Sequence, residues 1–506
     1  MSLLRRIEPP IAVTARGTLP WVLCLWALLS SAAALAGEGS APDSTTDADE
    51  LNDDARLRLT EREDKLRPAQ RLQIDIAGRP LTVGGELAAD LEVLRRPETD
   101  GTPRRRERLS AYALELEAFY PASATLSAFM QLRLAHERDR HARDPTMRFA
   151  RYVERGEMWL HAREVAGLPL NLEFGRLKFE DDRRWWWNQE LDAVRLSHRG
   201  GGVEAALAFG RELGRRRSDR RGVDAEQEGV HRWLAQAGWE WASEQTLNAF
   251  ALRQGDRSGV QSPGQIVPIE RQDASDARLT WLGVGVAGKL GLRGGAAIDY
   301  DLDTASVRGD ERLIEFSAPS AGPSTVSAVS RRGVRGWGLD SGLRWTFASV
   351  LRPRLFVGYA VGSGGPASDG ADRSFRQTGL HANEAGFGGV KRFAHYGAAL
   401  DPELSNLRIS TLGAGLSLSR SSSLDLVYHR YRQVSAATSL RAARVEPELT
   451  GTHRDIGSGL DIVAAVEAWQ RIEIAAIASS LRTGSAFGTQ AGRRYRYGAL
   501  AVRVAF

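Results

Sequence analysis

Cysteine is all but absent from this chain: of its 506 residues only Cys24 is one, and it falls in a stretch that reads as a cleaved leader. A mature chain without cysteine has no disulfide, no thiolate nucleophile and no zinc–thiolate site. Lysine is almost as rare. Lys65, Lys178, Lys289 and Lys391 are the only ones, so the 68 basic residues are overwhelmingly arginine. Arginine presents a planar, permanently charged fork that matches carboxylate and phosphate, although GC-rich coding produces the same excess. Past the leader no run approaches the roughly twenty apolar residues that a membrane helix needs. Catalytic signatures are missing as well: there is no GxSxG elbow and no HExxH pair, and the nine histidines are scattered. Ser197 and His198 are sequence neighbours and therefore point apart on a strand. Gly283-Val284-Gly285-Val286-Ala287-Gly288 fits GxGxxG, but strands flank it on both sides and no helix follows, which dismisses a dinucleotide site. No cofactor, metal or catalytic residue is expected.

The amino terminus carries Arg5, Arg6 and Arg16, then the apolar stretch from Trp21 to Ala34, then Ala34-Leu35-Ala36 as a small-x-small cleavage site. Residues 1–36 read as a secretory signal peptide rather than an anchor, because Pro20 and small residues break the run. Its removal takes away three arginines and Glu8, lowering the formal charge from +5 to +3, too modest to argue for nucleic acid. Residues 37–69 are acidic, rich in Ser, Thr and Ala, and read as a flexible periplasmic lead-in.

Residues 70–506 alternate. Leu81, Val83, Leu87, Ala89, Leu91 and Val93 oppose Thr82, Glu86, Asp90 and Glu92; at the far end Leu500, Val502, Val504 and Phe506 oppose Tyr497, Ala499, Ala501 and Arg503. A period of two places these sets on opposite faces of a strand. About eighteen such segments follow one another, an even number as in bacterial barrels. Short connections near Pro121, Gly167, Gly201, Ser243, Lys289, Ala348, Ser421 and Trp469 alternate with long ones at 94–107, 137–149, 179–189, 212–230, 255–276, 302–333, 364–402, 433–454 and 482–493. Such asymmetry predicts an all-β fold: a transmembrane antiparallel β-barrel with short periplasmic turns and long extracellular loops, in a Gram-negative outer membrane. Slightly negative mean hydropathy fits, since only alternate residues meet lipid. Trp233, Trp239, Trp241, Trp281, Trp337, Trp345 and Tyr359 lie where interfacial girdles would place them. The last strand is expected to close the barrel against the strand beginning near Leu81, with Phe506 at the periplasmic rim.

The polar phase should line the lumen. It offers Arg133, Arg155, His161, Arg163, Arg195, Arg253, Arg344 and Arg503 with the acids Glu86, Asp90, Glu115, Glu117, Glu157, Asp192, Asp299, Asp340 and Asp461. So many charges cannot be buried unpaired, so the lumen is expected to be wet and some acids to brace arginines. Fixed guanidinium groups at a constriction would select anions. The runs Arg215-Arg216-Arg217-Ser218-Asp219-Arg220-Arg221 and Arg104-Arg105-Arg106 fall in predicted outer loops, where solvated charge, contact with outer-leaflet phosphates or funnelling of an acidic polymer are the readings.

Phe174-Gly175-Arg176, Trp185-Trp186 and Leu191-Asp192-Ala193-Val194-Arg195 resemble the alginate export porins of Gram-negative bacteria. Phe375-Arg376-Gln377-Thr378-Gly379-Leu380 with Asn383, Leu400 to Leu407, Leu426-Val427-Tyr428-His429 and Gly459 to Ala464 extend the likeness over most of the mature chain. The resemblance implies an eighteen-stranded monomeric barrel passing an anionic uronate polymer, with Arg176 and Arg195 in the constriction and Asp192 as a brace. Strict alternation instead puts Arg176 in phase with Leu172 and Phe174, facing outward. The proposed anion pathway is thus Arg133, Arg163, Arg176, Arg195, Arg253, Arg344 and Arg503, braced by Asp192, Glu115, Glu117 and Asp461. The resemblance also implies a long periplasmic turn that plugs the pore, whereas the turn near Trp469 is short; an outer loop, 137–149 or 364–402, would restrict the pore instead. Expected partners are the polymer, lipopolysaccharide and outer-membrane lipid, and a periplasmic secretion scaffold. The alternatives are an anion-selective uptake porin for small acidic solutes or oligouronates and, third, a surface adhesin or outer-membrane enzyme.

Overall fold

A computed structural model describes residues 72–506, apart from 99–104, 141–147, 257, 259–260, 269–270, 318–322, 366–369, 446–447 and 469–470. The leader and acidic lead-in, 1–69, lie outside the described residues.

Eighteen strands close into one antiparallel barrel. They are β1 Arg79–Arg96, β2 Arg105–Tyr120, β3 Leu126–Arg140, β4 Arg148–Ala162, β5 Asn171–Glu180, β6 Asn188–Gly200, β7 Val203–Arg211, β8 His231–Ala242 and β9 Gln245–Gly255. After them come β10 Ser275–Gly291, β11 Ala297–Ser317, β12 Ser324–Thr346, β13 Arg354–Gly362, β14 Leu407–Ser419, β15 Ser422–Gln433, β16 Asp455–Ala468, β17 Ile472–Thr483 and β18 Arg494–Ala505. Each pairs with the next, and β18 pairs with β1 from Glu86↔Ala505 to Arg95↔Arg496. Two backbone bonds of 3.0 Å between Gly85 and Phe506 complete the seam. Closure of β18 on β1 leaves the sheet without a free first or last strand, an edge that no water could satisfy within the membrane. Short strands Leu72–Ile76 and Ile266–Val267 extend the sheet beside β1 and β12.

The outward phase is the apolar one. Leu87, Leu116, Leu134, Leu207, Leu282, Val284, Leu355, Leu426 and Ile474 are exposed, as a lipid-facing belt requires. Trp233, Trp239, Trp241, Trp337, Trp345 and Tyr359 are exposed too, whereas Trp281 is only 2% exposed and its indole N–H donates to the Arg376 carbonyl (2.7 Å). Trp281 therefore points inward. The expected long loop at 302–333 is mostly strand: β11 and β12 stay paired from Ala297↔Thr346 to Ser317↔Thr325. Arg308, Asp310, Glu311, Arg312, Arg331 and Arg332 make this upper hairpin polar on both faces, so it lacks the amphipathic signal while its backbone ladder continues. The turn expected near Lys289 lies instead at 292–296.

The lumen is not simply wet. Long connections at one rim fold inward and pack: Trp185, Trp186, Trp187, Phe375, Leu380, Tyr396, Leu400, Leu404, Val445 and Leu449 join one buried cluster with wall residues Phe250, Leu252, Trp281, Ile409 and Leu481. This apolar plug corrects the expectation of a lumen filled only by water and paired charge. Apolar loop residues inside the barrel bury their surface against wall residues such as Leu252 and Trp281, which alternation had marked as outward.

Candidate functional site

Two connections build the lumenal site, the β5–β6 loop and the long β13–β14 loop. In the first, the Asp181 carboxylate accepts backbone N–H bonds from Trp185, Trp186 and Trp187 at 3.1, 2.9 and 2.8 Å, winding the three tryptophans into a tight turn. Burial pushes the Asp181 carboxyl up to about 6 against the pull of those three donors. Arg183 reaches wall acids, lying 2.8 Å from Asp340 and 3.2 Å from Asp303 and also contacting Asp301.

The second loop leaves β13 at one rim and descends. It is locked to the first loop by Gln377, whose amide pairs with that of Asn383 (2.7 and 2.9 Å), donates to the Trp185 carbonyl, and accepts from the Leu404 N–H. The Trp185 indole donates to the Tyr396 hydroxyl (2.7 Å), which donates to Asp340 (2.5 Å). Ion pairs tie this loop to the wall at several heights: Arg376 to Glu311 (2.5 Å), Lys391 to Glu473 (2.5 Å), and Asp401 to Arg444, which also holds Glu92 (3.1 Å). Its tip is a small hairpin, Glu384–Ala385 paired with Phe393–Ala394. There Gly388 lies over the stems of Arg344 and Arg354, and the Val390 N–H donates to Ser423 (3.0 Å). Since β12 ends and β13 and β15 begin at the short-turn rim, the loop spans the barrel from its long-loop end almost to the opposite one.

Each proposed pathway arginine has a definite place. Arg195 holds Glu173, donates to the Lys178 carbonyl (3.1 Å) and stacks over Phe179. Arg344 is 3.1 Å from Asp299, and Arg503 is 2.8 Å from Asp90 and 3.4 Å from Glu86. Arg133 faces Glu154 at 3.8 Å. Arg163 sits in the β4–β5 turn, its N–H bonded to the Thr125 carbonyl. Arg253 is exposed between the buried Leu252 and the plug-facing phase, opposite the exposed Trp233. Arg253 thus lies on the outer face, because the apolar side chain Leu252 took the inward position under the plug. Of the braces, Glu115 and Glu117 share the Gln131 amide (2.7 and 3.0 Å), and Asp461 accepts from Ser479 and from the Ala398 N–H.

Arg176 is outward in phase yet only 1% exposed. β5 pairs with β4 only from Ala162↔Leu172 to Met158↔Arg176, then leaves it. Gly175, at φ +134°, marks the departure; a Cβ there would stand 2.2 Å from the Met158 carbonyl oxygen. Above that point the 212–218 loop takes the vacated edge of β4, with Arg155 N–H to Arg216 O and Ser218 N–H to Val153 O at 2.9 Å. The back of the β5–β6 hairpin is thereby covered. Arg176 pairs there with Glu212 (2.9 Å), Asp192 holds Arg155 (3.0 Å), and Arg216 holds Glu154 (2.6 Å). Arg217 lies over the Tyr152 ring at 3.4 Å. The arginine run 215–221 is therefore partly structural, with Arg216 and Arg217 turned into the protein. Sequence reading missed Arg183 and Arg354 and the pairing of Arg376 with Glu311, because those partners lie more than fifty residues away. The tryptophan turn is held locally by Asp181, a side chain-to-backbone contact that leaves no periodic signal.

Below the plug a cavity of about 550 Å³ opens, lined among others by Arg195, Lys178, Arg392, Glu173, Asp182 and Trp159. Charges of both signs face it. An arginine already held by a carboxylate attracts a passing anion less than a bare one would, because the pair's net field is small.

The sequence profile described as alginate export matches residues 79–499. The chain belongs to the alginate export family. Within that family it is 26% identical over 317 residues to the alginate production protein AlgE of Pseudomonas aeruginosa, covering 62% of this chain and 63% of that one. It is 22% identical over 288 residues to AlgE of Azotobacter vinelandii, covering 55% and 58%. The chain thus spans somewhat under two thirds of the length of these relatives. Among solved structures, OccK7 (OpdD) of Pseudomonas aeruginosa superposes with a TM-score of 0.51 at 13% identity, over 84% of this chain and 98% of that one. OccAB2 of Acinetobacter baumannii gives 0.51 at 9% identity over 84% and 98%. These last two share the fold alone. As a closed barrel of the alginate export family, the protein belongs to the Gram-negative outer membrane.

Proposed function

We propose that this protein is a channel, not an enzyme, that passes an anionic polysaccharide such as alginate across the outer membrane by diffusion. The observation that carries this reading is the lumen itself. Family membership supplies the cargo class, and the inward wall supplies arginines (Arg195, Arg344, Arg503) each partly offset by a carboxylate. Weak, repeated contacts of that kind favour anion entry without the tight binding that would stall a polymer. The β13–β14 loop is the element that must shift for a chain to pass, since it crosses the lumen. Export would need a periplasmic scaffold to deliver polymer, after the signal peptide (1–36) is removed and with 37–69 as a flexible lead-in. The working unit is a monomer.

Uptake of small acidic solutes or oligouronates is the second reading, favoured by the cavity of about 550 Å³, whose size suits a few sugar units better than a polymer. Single-channel conductance in planar bilayers tests the proposal. The native channel should prefer anions, Arg195→Ala and Arg503→Ala should weaken that preference, and a polyuronate should block the current transiently. Cation preference in the native channel would overturn it. Block by short oligouronates with none by polymer would favour uptake.

A further inference from the structure

The outer face above the lipid belt carries arginines that the lumen does not explain. On the seam strands β17, β18, β1 and β2, cross-strand neighbours on the outward face are Arg482↔Arg494, Arg496↔Arg95 and Arg95↔Arg106. All five are exposed. They span three inter-strand spacings, roughly 15 Å. Like charges placed directly opposite across a ladder repel and destabilise the pairing unless something neutralises them. Arg95, Arg482, Arg494 and Arg496 make no ion pair among the described residues, and Asp455 on neighbouring β16 is engaged by Arg430 (2.8 Å).

Arginines described at the inner face of the same strands, by contrast, are held by acids, as Arg503 is by Asp90 (2.8 Å). Arg96 holds Glu107 (2.6 Å), and Arg444 holds Glu92 (3.1 Å) while stacking on Tyr497. The outward set is therefore not a by-product of arginine-rich composition, which would leave both faces alike. Its height is fixed by the apolar belt. Leu500, paired with Leu91, is exposed on the same face. Arg496 stands four residues above it, about 13 Å along the strand. That is where the hydrocarbon of the outer leaflet gives way to its headgroups.

We propose that this cleat binds the phosphates of an outer-leaflet glycolipid, a glucosamine disaccharide carrying a phosphate on each sugar. Guanidinium forks on adjacent strands hold two phosphates with charge-assisted bonds, and the acyl chains run down the belt past Leu500 and Leu91. An exported polymer would leave through the lumen, on the other side of this wall, so lipid is the occupant with access. The site also lies on the closing seam, so the bound lipid would strap β18 to β1.

The experiment uses the full chain, extracted from outer membranes and repurified, with bisphosphorylated lipid A as the probe and its dephosphorylated form as the control. The variant Arg95→Gln/Arg482→Gln/Arg494→Gln/Arg496→Gln should retain about tenfold less lipid A than the native protein, as loss of charge-assisted phosphate contacts implies. Dephosphorylated lipid should bind the native protein no better than it binds the variant, and Arg220→Gln/Arg221→Gln, in an outer loop, should behave as native. A heat-modifiable band confirms that each barrel is folded. If the quadruple variant does not assemble, Arg482→Gln/Arg496→Gln gives the same reading. Native-level retention by the folded variant would overturn the proposal, and so would displacement of lipid A by polyuronate but not by inorganic phosphate, which would make the cleat a polymer surface.

Discussion

Single residues decide where the barrel can close and where it must open. Gly85 lies beneath the Phe506 ring, and a Cβ there would stand 2.2 Å from the Glu115 carbonyl oxygen and 2.7 Å from the ring. Gly85→Val is expected to abolish the folded, heat-modifiable band on gels, because the backbone cannot retreat without losing the seam. Trp185 is buried and bonded to Tyr396, so Trp185→Ala should cost about 3–5 kcal/mol of plug packing. Its measurable sign is a larger, noisier single-channel current rather than a lower barrel melting temperature. The outer acids Asp256, Asp273 and Asp276 crowd within 4.8 Å of one another. Burial pushes Asp273 up to about 6. A carboxyl raised in the folded state is favoured when protonated, so the stability of the 256–276 loop should fall as pH rises from about 4 to about 6 and then level off. Limited proteolysis of the intact barrel should accordingly cut this loop faster at pH 7.5 than at pH 4.5; equal rates would refute the shift.

Elements add what residues cannot. The β5–β6 hairpin is legible as two strands, but its departure from β4 at Gly175 is not, because a kink leaves the period of two intact. Arg176 therefore reads as lipid-facing by alternation and is covered only because the 212–218 loop fills the edge that β5 abandons. The β13–β14 loop is pinned by ion pairs to walls far away in sequence. Arg183→Ala would leave Asp301, Asp303 and Asp340 without their shared cation, a loss of about 3–5 kcal/mol for a broken buried pair. The expected readout is a higher open probability at neutral pH. Deleting 386–391 should widen the pore while leaving the barrel assembled. Unchanged conductance after that deletion would show that the loop tip is not an obstacle.

For the whole molecule, eighteen strands, their order and the lipid-facing side were written in the chain. Leu87, Ala89 and Leu91 recur with period two, as do Leu282, Val284 and Val286, and lipid on one face makes that period strict. Even Phe506 could be placed, since a terminal alternating strand must find the first one if no edge is to remain. The inside was not legible in the same way. Once a loop enters the lumen, inward positions no longer need to be polar. Leu252 and Trp281 then face in, Arg253 faces out, and of the tryptophans read as an interfacial girdle Trp281 alone turns to meet the plug. Local periodicity fixes a wall because each strand meets the same two solvents along its length. What fills the lumen depends on contacts such as Arg376 with Glu311 or Lys391 with Glu473, made between residues 65 and 82 positions apart. Such contacts leave no periodic trace, so only the folded molecule decides them.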